Sequence, residues 1–235
     1  MRVMSTITCY HGTTVRIAKY YLDGNDFVLS MCGSIDSDCY RDLWLGDGFY
    51  LFDDPFHAFK WITQQCYKKK SGIFDKTILD REYRILKIRL NYPVTRVFDL
   101  RQTEHYAVFQ RILDRIVSNS IPDTKIPDGK VPDGVVINYI FKKMDYGKRF
   151  DIVCGIFKFN ESYFSGIQNL KSNFIVQTQY CVKKIDLLDK REEYDYTYDS
   201  EGFIDIWKTL FPNTPPIGIE QKNMYSPRKG VYYES

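Results

Sequence analysis

The stretch LWLGDGFYLFDD, residues 43–54, constrains the fold more tightly than any other part of the chain. Gly46 and Gly48 bracket a single acid, a composition that marks a sharp turn. Phe49, Tyr50, Leu51 and Phe52 follow at once, and such aromatic density reads as a strand. Asp54 then stands at a helix N-cap, with Pro55 at the first helical position, where its missing N–H has no partner to lose. Phe56, Phe59, Ile62 and Cys66 recur at helical spacing, and Lys68, Lys69 and Lys70 suit the negative end of the helix dipole. Turn, strand and helix therefore follow one another without slack.

The remaining elements fall around this unit. STITCYHG alternates as an extended segment, and GTTVRIAKYYLDG reads as a short helix closed by Asp23 and Gly24. Residues 23–48, with Gly24, Gly33, Gly46 and Gly48 among several Asp and Ser, read as a long surface loop, a kind of connection that is often functional. REYRILKIRLNYPVTRVFDL reads as a strand broken at Pro93 and resumed through Val97. TEHYAVFQRILDRIVSN carries Phe109, Ile112, Leu113, Ile116 and Val117 as a helical stripe. Pro-Asp steps at Pro122, Pro127 and Pro132 read as successive turns in a surface connection. Two further strands are expected in FDIVCGIFKF (150–159) and NFIVQTQYCVKKI (173–185), separated by a polar loop with Gly166. From Asp186 the patterning decays, which divides the chain into a domain over 1–185 and an extension over 186–235 that packs on the domain or regulates it.

Composition narrows the class. A chain of 235 residues, 44% hydrophobic and 16% aromatic, can bury one sizeable core and should be rich in β-structure. Its net charge of +3, from 33 basic and 30 acidic residues, neither demands nor excludes a nucleic-acid partner. The six cysteines form no CxxC pair and no set with histidine at ligand spacing, so reduced, buried thiols are expected, and no metal. No apolar run reaches signal-peptide or membrane-span length, which gives a cytoplasmic reading with no membrane partner.

Three stretches carry chemistry. CYHGTT puts His11 at the end of a first strand, followed by Gly12 and Thr13. WLGDGFYLFDDPFHAFKW puts Tyr50 in a strand that opens into a helix. FIVQTQYCV puts Gln177 and Gln179 on one face of a late strand. Taken singly, each has an ordinary explanation: a hydrogen-bonded turn histidine, one packed tyrosine among 19, a tight turn, the solvated face of an alternating strand. Their order and spacing together resemble the ADP-ribosyltransferase superfamily, in the histidine-tyrosine-glutamate branch of diphtheria-toxin-like and poly(ADP-ribose) polymerase-like enzymes, including bacterial toxin-type members. The resemblance runs from His11 to Lys184.

That resemblance implies an α+β fold in which two small antiparallel sheets, flanked by helices, form a cleft for NAD as substrate. It implies that Gly12 holds the nicotinamide amide through its backbone, that His11 meets a ribose hydroxyl, and that Thr13 lies toward the adenosine. Tyr50 would stack on the nicotinamide, with Gly46 and Gly48 letting the loop close over the nucleotide and Asp47 at the mouth. The family's third motif supplies a glutamate; Gln179 stands in its place here, with Gln177 two residues earlier. An amide can orient a ribose but brings no charge to the oxocarbenium-like state formed when the nicotinamide bond breaks. It is also a poor base for chain elongation.

The expected function is a toxin- or defence-type mono-ADP-ribosyltransferase, with His11, Tyr50 and Gln179 as the catalytic triad. Its partners would be a macromolecular acceptor, protein or nucleic acid, and an antitoxin. Two alternatives stand beside it. An RNA 2′-phosphotransferase-like enzyme shares the His-Gly-Thr stretch but needs several arginines, for which Arg16 and Arg41 are the early candidates. A non-catalytic NAD- or partner-binding module would keep the cleft without the acid. Lys142, Lys143, Lys148 and Arg149 read as a solvated face able to steer a polyanion.

Overall fold

The computed structural model of the chain describes residues 3–32, 43–69, 76–118, 131–158, 176–196 and 201–206. Strand β1 (Met4–Thr14) organises the fold: it pairs antiparallel with β3 (Tyr83–Pro93) over its whole length, from Met4 opposite Pro93 to Thr14 opposite Tyr83. Between them come helix α1 (Val15–Leu22), strand β2 (Phe49–Phe52) and helices α2 (Pro55–Lys69) and α3 (Lys76–Glu82). The Thr14 hydroxyl accepts from the Ile17 amide to cap α1, and Asp23 with the left-handed Gly24 closes it. The Asp54 carboxylate accepts from the Phe56 amide at the start of α2.

After β3 come a 3-10 turn (Val94–Arg96), β4 (Val97–Asp99), helices α4 (Thr103–Val117), α5 (Asp133–Lys143) and α6 (Tyr146–Arg149), then β5 (Ile152–Lys158), β6 (Val176–Val182) and β7 (Leu188–Tyr194). All the strands join one seven-stranded sheet in the order β4-β5-β6-β2-β1-β3-β7. Its pairs are antiparallel except β4 with β5. The fold is thus α+β, but the two separate small sheets implied by the family resemblance are replaced by one. The join is narrow: β1 and β2 share a single register pair, Tyr10 with Phe52.

The connection from β3 to β4 shows how that sheet is shaped. A three-residue turn links the two strands although four others lie between them in the sheet order, so the sheet curls until its ends approach. The concave face encloses one core built from both ends: Leu90 and Tyr92 of β3, Val97 of β4, Ile152 of β5, Phe49 and Leu51 of β2, roofed by Ala18 and Tyr21 of α1. The opposite face carries two helix packs. One sets Phe59, Ile62 and Cys66 of α2 and Leu79 of α3 against Ile85 and Phe52. The other sets Ile112 and Ile116 of α4 and Ile137 and Ile140 of α5 against Val153 and Cys181.

One expected turn is corrected. The third Pro-Asp step does not end in a turn: Pro132 caps α5, whose Val136, Ile137 and Ile140 are fully buried. Pro122 and Pro127 lie outside the described residues. The stretch from Asp186 also supplies β7, which pairs with β3, while Tyr196, Phe203 and Ile204 enter the α2 core. Cys9, Cys32, Cys154 and Cys181 are buried free thiols and Cys66 is buried too; burial pushes Cys9 and Cys154 up to about 12.

Candidate functional site

Alternation along β6 decides where its glutamines point. Gln177, Gln179 and Cys181 share the helix-bearing face, while Thr178, Tyr180 and Val182 face the concave core. Gln179 sits between Phe52 of β2 and Gly155 of β5, and Gln177 lies opposite Phe157. This is the seam between the two helix packs. Both glutamines are 7% exposed, so they are not the solvated face of an alternating strand. No hydrogen bond joins either side chain to the described residues, and neither amide is sealed from solvent. Both amides thus keep open hydrogen-bonding capacity at a solvent-accessible seam. The Trp44 ring, 43% exposed, packs 4.7 Å from Phe157 and puts an accessible aromatic beside Gln177.

His11 occupies the gap where β1 and β2 part. Beyond the Tyr10–Phe52 pair the ladder stops, and His11 Nδ1 lies 2.8 Å from the Tyr50 carbonyl. The ring rests on Phe49 at 4.4 Å, near Tyr21, and so belongs to the concave side. Burial pushes its pKa down to about 4, with the Tyr50 carbonyl partly opposing, so it is a neutral imidazole at neutral pH. Tyr50 turns the other way. Its hydroxyl donates to the Gly46 carbonyl at 2.7 Å and accepts from the Leu45 amide at 3.0 Å, leaving the half-buried ring against the α5 pack. Burial pushes its phenol well above the usual range, so it acts as a donor and not as a phenolate.

The structure thus links the His11 ring to the Tyr50 backbone carbonyl but sets the two side chains on opposite faces of the sheet. It sets Gln179 on the Tyr50 face, with Phe52 between them in the pleat. Gly12 is close-packed: a Cβ there would meet Ile62 Cγ2 of α2 at 2.6 Å. Thr13, next along β1, is 6% exposed on the concave side. Arg16 is exposed on α1, and Arg41 lies outside the described residues.

Gly46 and Gly48 have packing reasons of their own. Gly46 has φ 72° and its Cβ position lies 2.5 Å from Asn138 Oδ1, while that of Gly48 lies 2.4 Å from Cys181 Sγ. Between them Asp47 is pinned: its Oδ1 accepts from the Cys32 amide at 2.7 Å and Asn138 Nδ2 at 2.9 Å, and Lys142 Nζ reaches Oδ2 at 2.5 Å. Burial alone would raise the Asp47 carboxyl; these donors outweigh it and hold the group below its ordinary value. Lys183 Nζ donates to the Leu45 carbonyl at 2.8 Å and to the Asp47 carbonyl. Gly134 lets α5 touch the turn, its Cβ position falling 1.7 Å from the Leu43 carbonyl. Asn138 was hidden from sequence reading because the helix that carries it was, and Lys142, read as part of a solvated cationic face, pairs with Asp47 instead.

Among the described residues no group of three or more His, Cys, Asp or Glu is placed to hold a metal, and no helix is long and apolar enough to cross a membrane. The molecule is an α+β protein with a curled sheet and a polar seam between two helix packs. Over 211 residues it is 31% identical to the uncharacterized protein MJ0359 of Methanocaldococcus jannaschii, a match covering 84% of this chain and 92% of that protein. The chain belongs to the family of that archaeal protein. No protein-family model and no solved structure matches it.

Proposed function

We propose that the protein is an NAD-dependent mono-ADP-ribosyltransferase of toxin or defence type, with its nucleotide site along the seam at Gln177 and Gln179. One observation carries this reading: two largely buried glutamines two residues apart, without hydrogen-bond partners among the described residues, on the strand where the resemblance puts the ribose-gripping residue. Such amides suit a ligand rich in hydroxyls and amides, because each can donate and accept at once. Tyr50 offers a ring on the same face as the glutamines, held in place by its tethered hydroxyl, whereas the neutral His11 ring lies on the concave face and reaches a ribose hydroxyl only through the gap where β1 and β2 part.

Breaking the nicotinamide bond develops positive charge on the ribose. Gln179 orients the sugar without countering that charge, so turnover should be slow and limited to single transfers. The test uses purified protein with NAD labelled in the adenylate and a cell lysate, with and without nuclease, alongside His11→Ala and Gln179→Ala. Label entering a nuclease- or protease-sensitive product, and lost in both variants, supports the transferase. NAD binding with neither transfer nor nicotinamide release would leave a non-catalytic module built on the same seam.

A further inference from the structure

A cavity of about 520 Å³, away from the glutamine seam, is lined by Thr95, Arg96, Lys148 and Arg149. Three of its four lining residues are cationic. Its floor is fixed by Asp151, a carboxylate only 4% exposed, which binds Arg96 through Nε and through Nη2 at 2.7 Å and Lys184 at 2.7 Å. Arg96 Nη2 also donates to the Lys148 carbonyl at 3.2 Å, which ties the turn before β4 to α6. Burial would raise the Asp151 carboxyl, but Arg96 and Lys184 hold it below its ordinary value.

One carboxylate thus neutralises one of two cations and fixes both in position. Lys148 has only an exposed partner, Asp145 at 3.0 Å, and the Arg149 guanidinium lies 5.0 Å over the Phe150 ring. A surplus of fixed and exposed positive charge remains around an open hollow. Lys184, held on the same Asp151 carboxylate, extends it toward the end of β6, the strand that carries Gln179.

We propose that this cavity seats backbone phosphates of a nucleic-acid strand. A wall of Thr, Arg and Lys without an aromatic face grips phosphate and reads no base. The cations also continue past one phosphate's reach, along α6 to Lys184, as a linear polyanion requires. Val182 ends β6 three residues, roughly 10 Å along the strand, beyond Gln179, which sets the two sites near one another. Under the transferase reading, on which this last step rests, the acceptor is nucleic acid; the phosphate site itself stands without it.

The test is fluorescence anisotropy of short labelled single-stranded DNA and RNA across a salt series, without NAD. It compares the wild type with the exposed pair Lys148→Glu/Arg149→Glu and, as a charge-matched control, Arg16→Glu/Lys19→Glu on α1. Inorganic pyrophosphate and phosphatidylserine vesicles are run as separate ligands, and circular dichroism checks folding. The expected result is binding by the wild type, an affinity roughly tenfold weaker in the cavity pair with a salt slope smaller by about 1.4, and a lesser loss in the control. Equal losses in both pairs, no loss in the cavity pair, or binding of pyrophosphate or vesicles without oligonucleotide would overturn the proposal. NAD cleavage measured on the same cavity variant separates this outcome from failure of the transferase reading, since that reading predicts that cleavage survives.

Discussion

Asp47 and the Gln177/Gln179 pair are both buried polar groups on the same side of the sheet, yet they are treated in opposite ways. Asp47 is bound by the Cys32 amide, Asn138 and Lys142, and the turn around it is stitched down by Tyr50, Lys183 and the close approach of Gly134. The glutamines have the same burial and no partner among the described residues. Where a polar group serves the scaffold its hydrogen bonds close within the protein; where they stay open, the bonding capacity is kept for something else.

Breaking the closed region should cost most. Gly134→Ala drives a methyl into the Leu43 carbonyl and separates α5 from the turn, an expected loss on the order of 3 kcal/mol in urea unfolding. A change within a few tenths would show that the turn is not clamped there. Asp47→Ala leaves the Cys32 amide and the Asn138 amide without their shared acceptor and should cost about 2 kcal/mol by the same measurement. A neutral result would remove the contrast between the two regions.

The boundary between them is tested by pH. His11 in the folded protein resists a proton until about pH 4, whereas the unfolded chain takes it up near 6.5. The unfolded state therefore binds more protons across that window, and stability falls as the pH drops through it. Asp47, Asp99 and Asp151 are held below their ordinary value of 3.8, so their contribution persists through that window and is lost only below it. Thermal unfolding of His11→Gln between pH 7 and pH 5 should show a shallower decline than the wild type; parallel curves would place the ring in contact with solvent. The smallest effect is expected in the open region. Gln177→Leu with Gln179→Leu should change stability by less than about 1 kcal/mol, because no protein hydrogen bond is lost and apolar area is gained. A loss as large as that of Asp47→Ala would mean that the glutamines serve the scaffold too.

Local signals made much of this legible. The Gly46–Gly48 turn, β2 and the Pro55 helix start follow from chemistry confined to a few neighbouring residues, as do the close of α1 at Asp23 and Gly24 and the Phe109, Ile112 and Ile116 stripe of α4. What escaped depends on distant partners. The Pro-Asp spacing masked α5, whose polar Asn138 is explained only by Asp47 across the turn. The break at Pro93 was visible, but not that β4 rejoins the sheet at its far edge. Alternating glutamines read identically whether the strand faces water or a seam between helices, and only the two helix packs decide. The glycines were marked as special, yet their contacts with Asn138 and Cys181 needed the assembled sheet.

The most direct test of the account is calorimetric titration of NAD into the wild type and into Gln177→Leu/Gln179→Leu, with folding of both verified. The account predicts that the wild type binds NAD and that the double variant, equally stable, has lost that binding. Equal binding by the two proteins, or none by a folded wild type, would contradict a nucleotide site at the open glutamines.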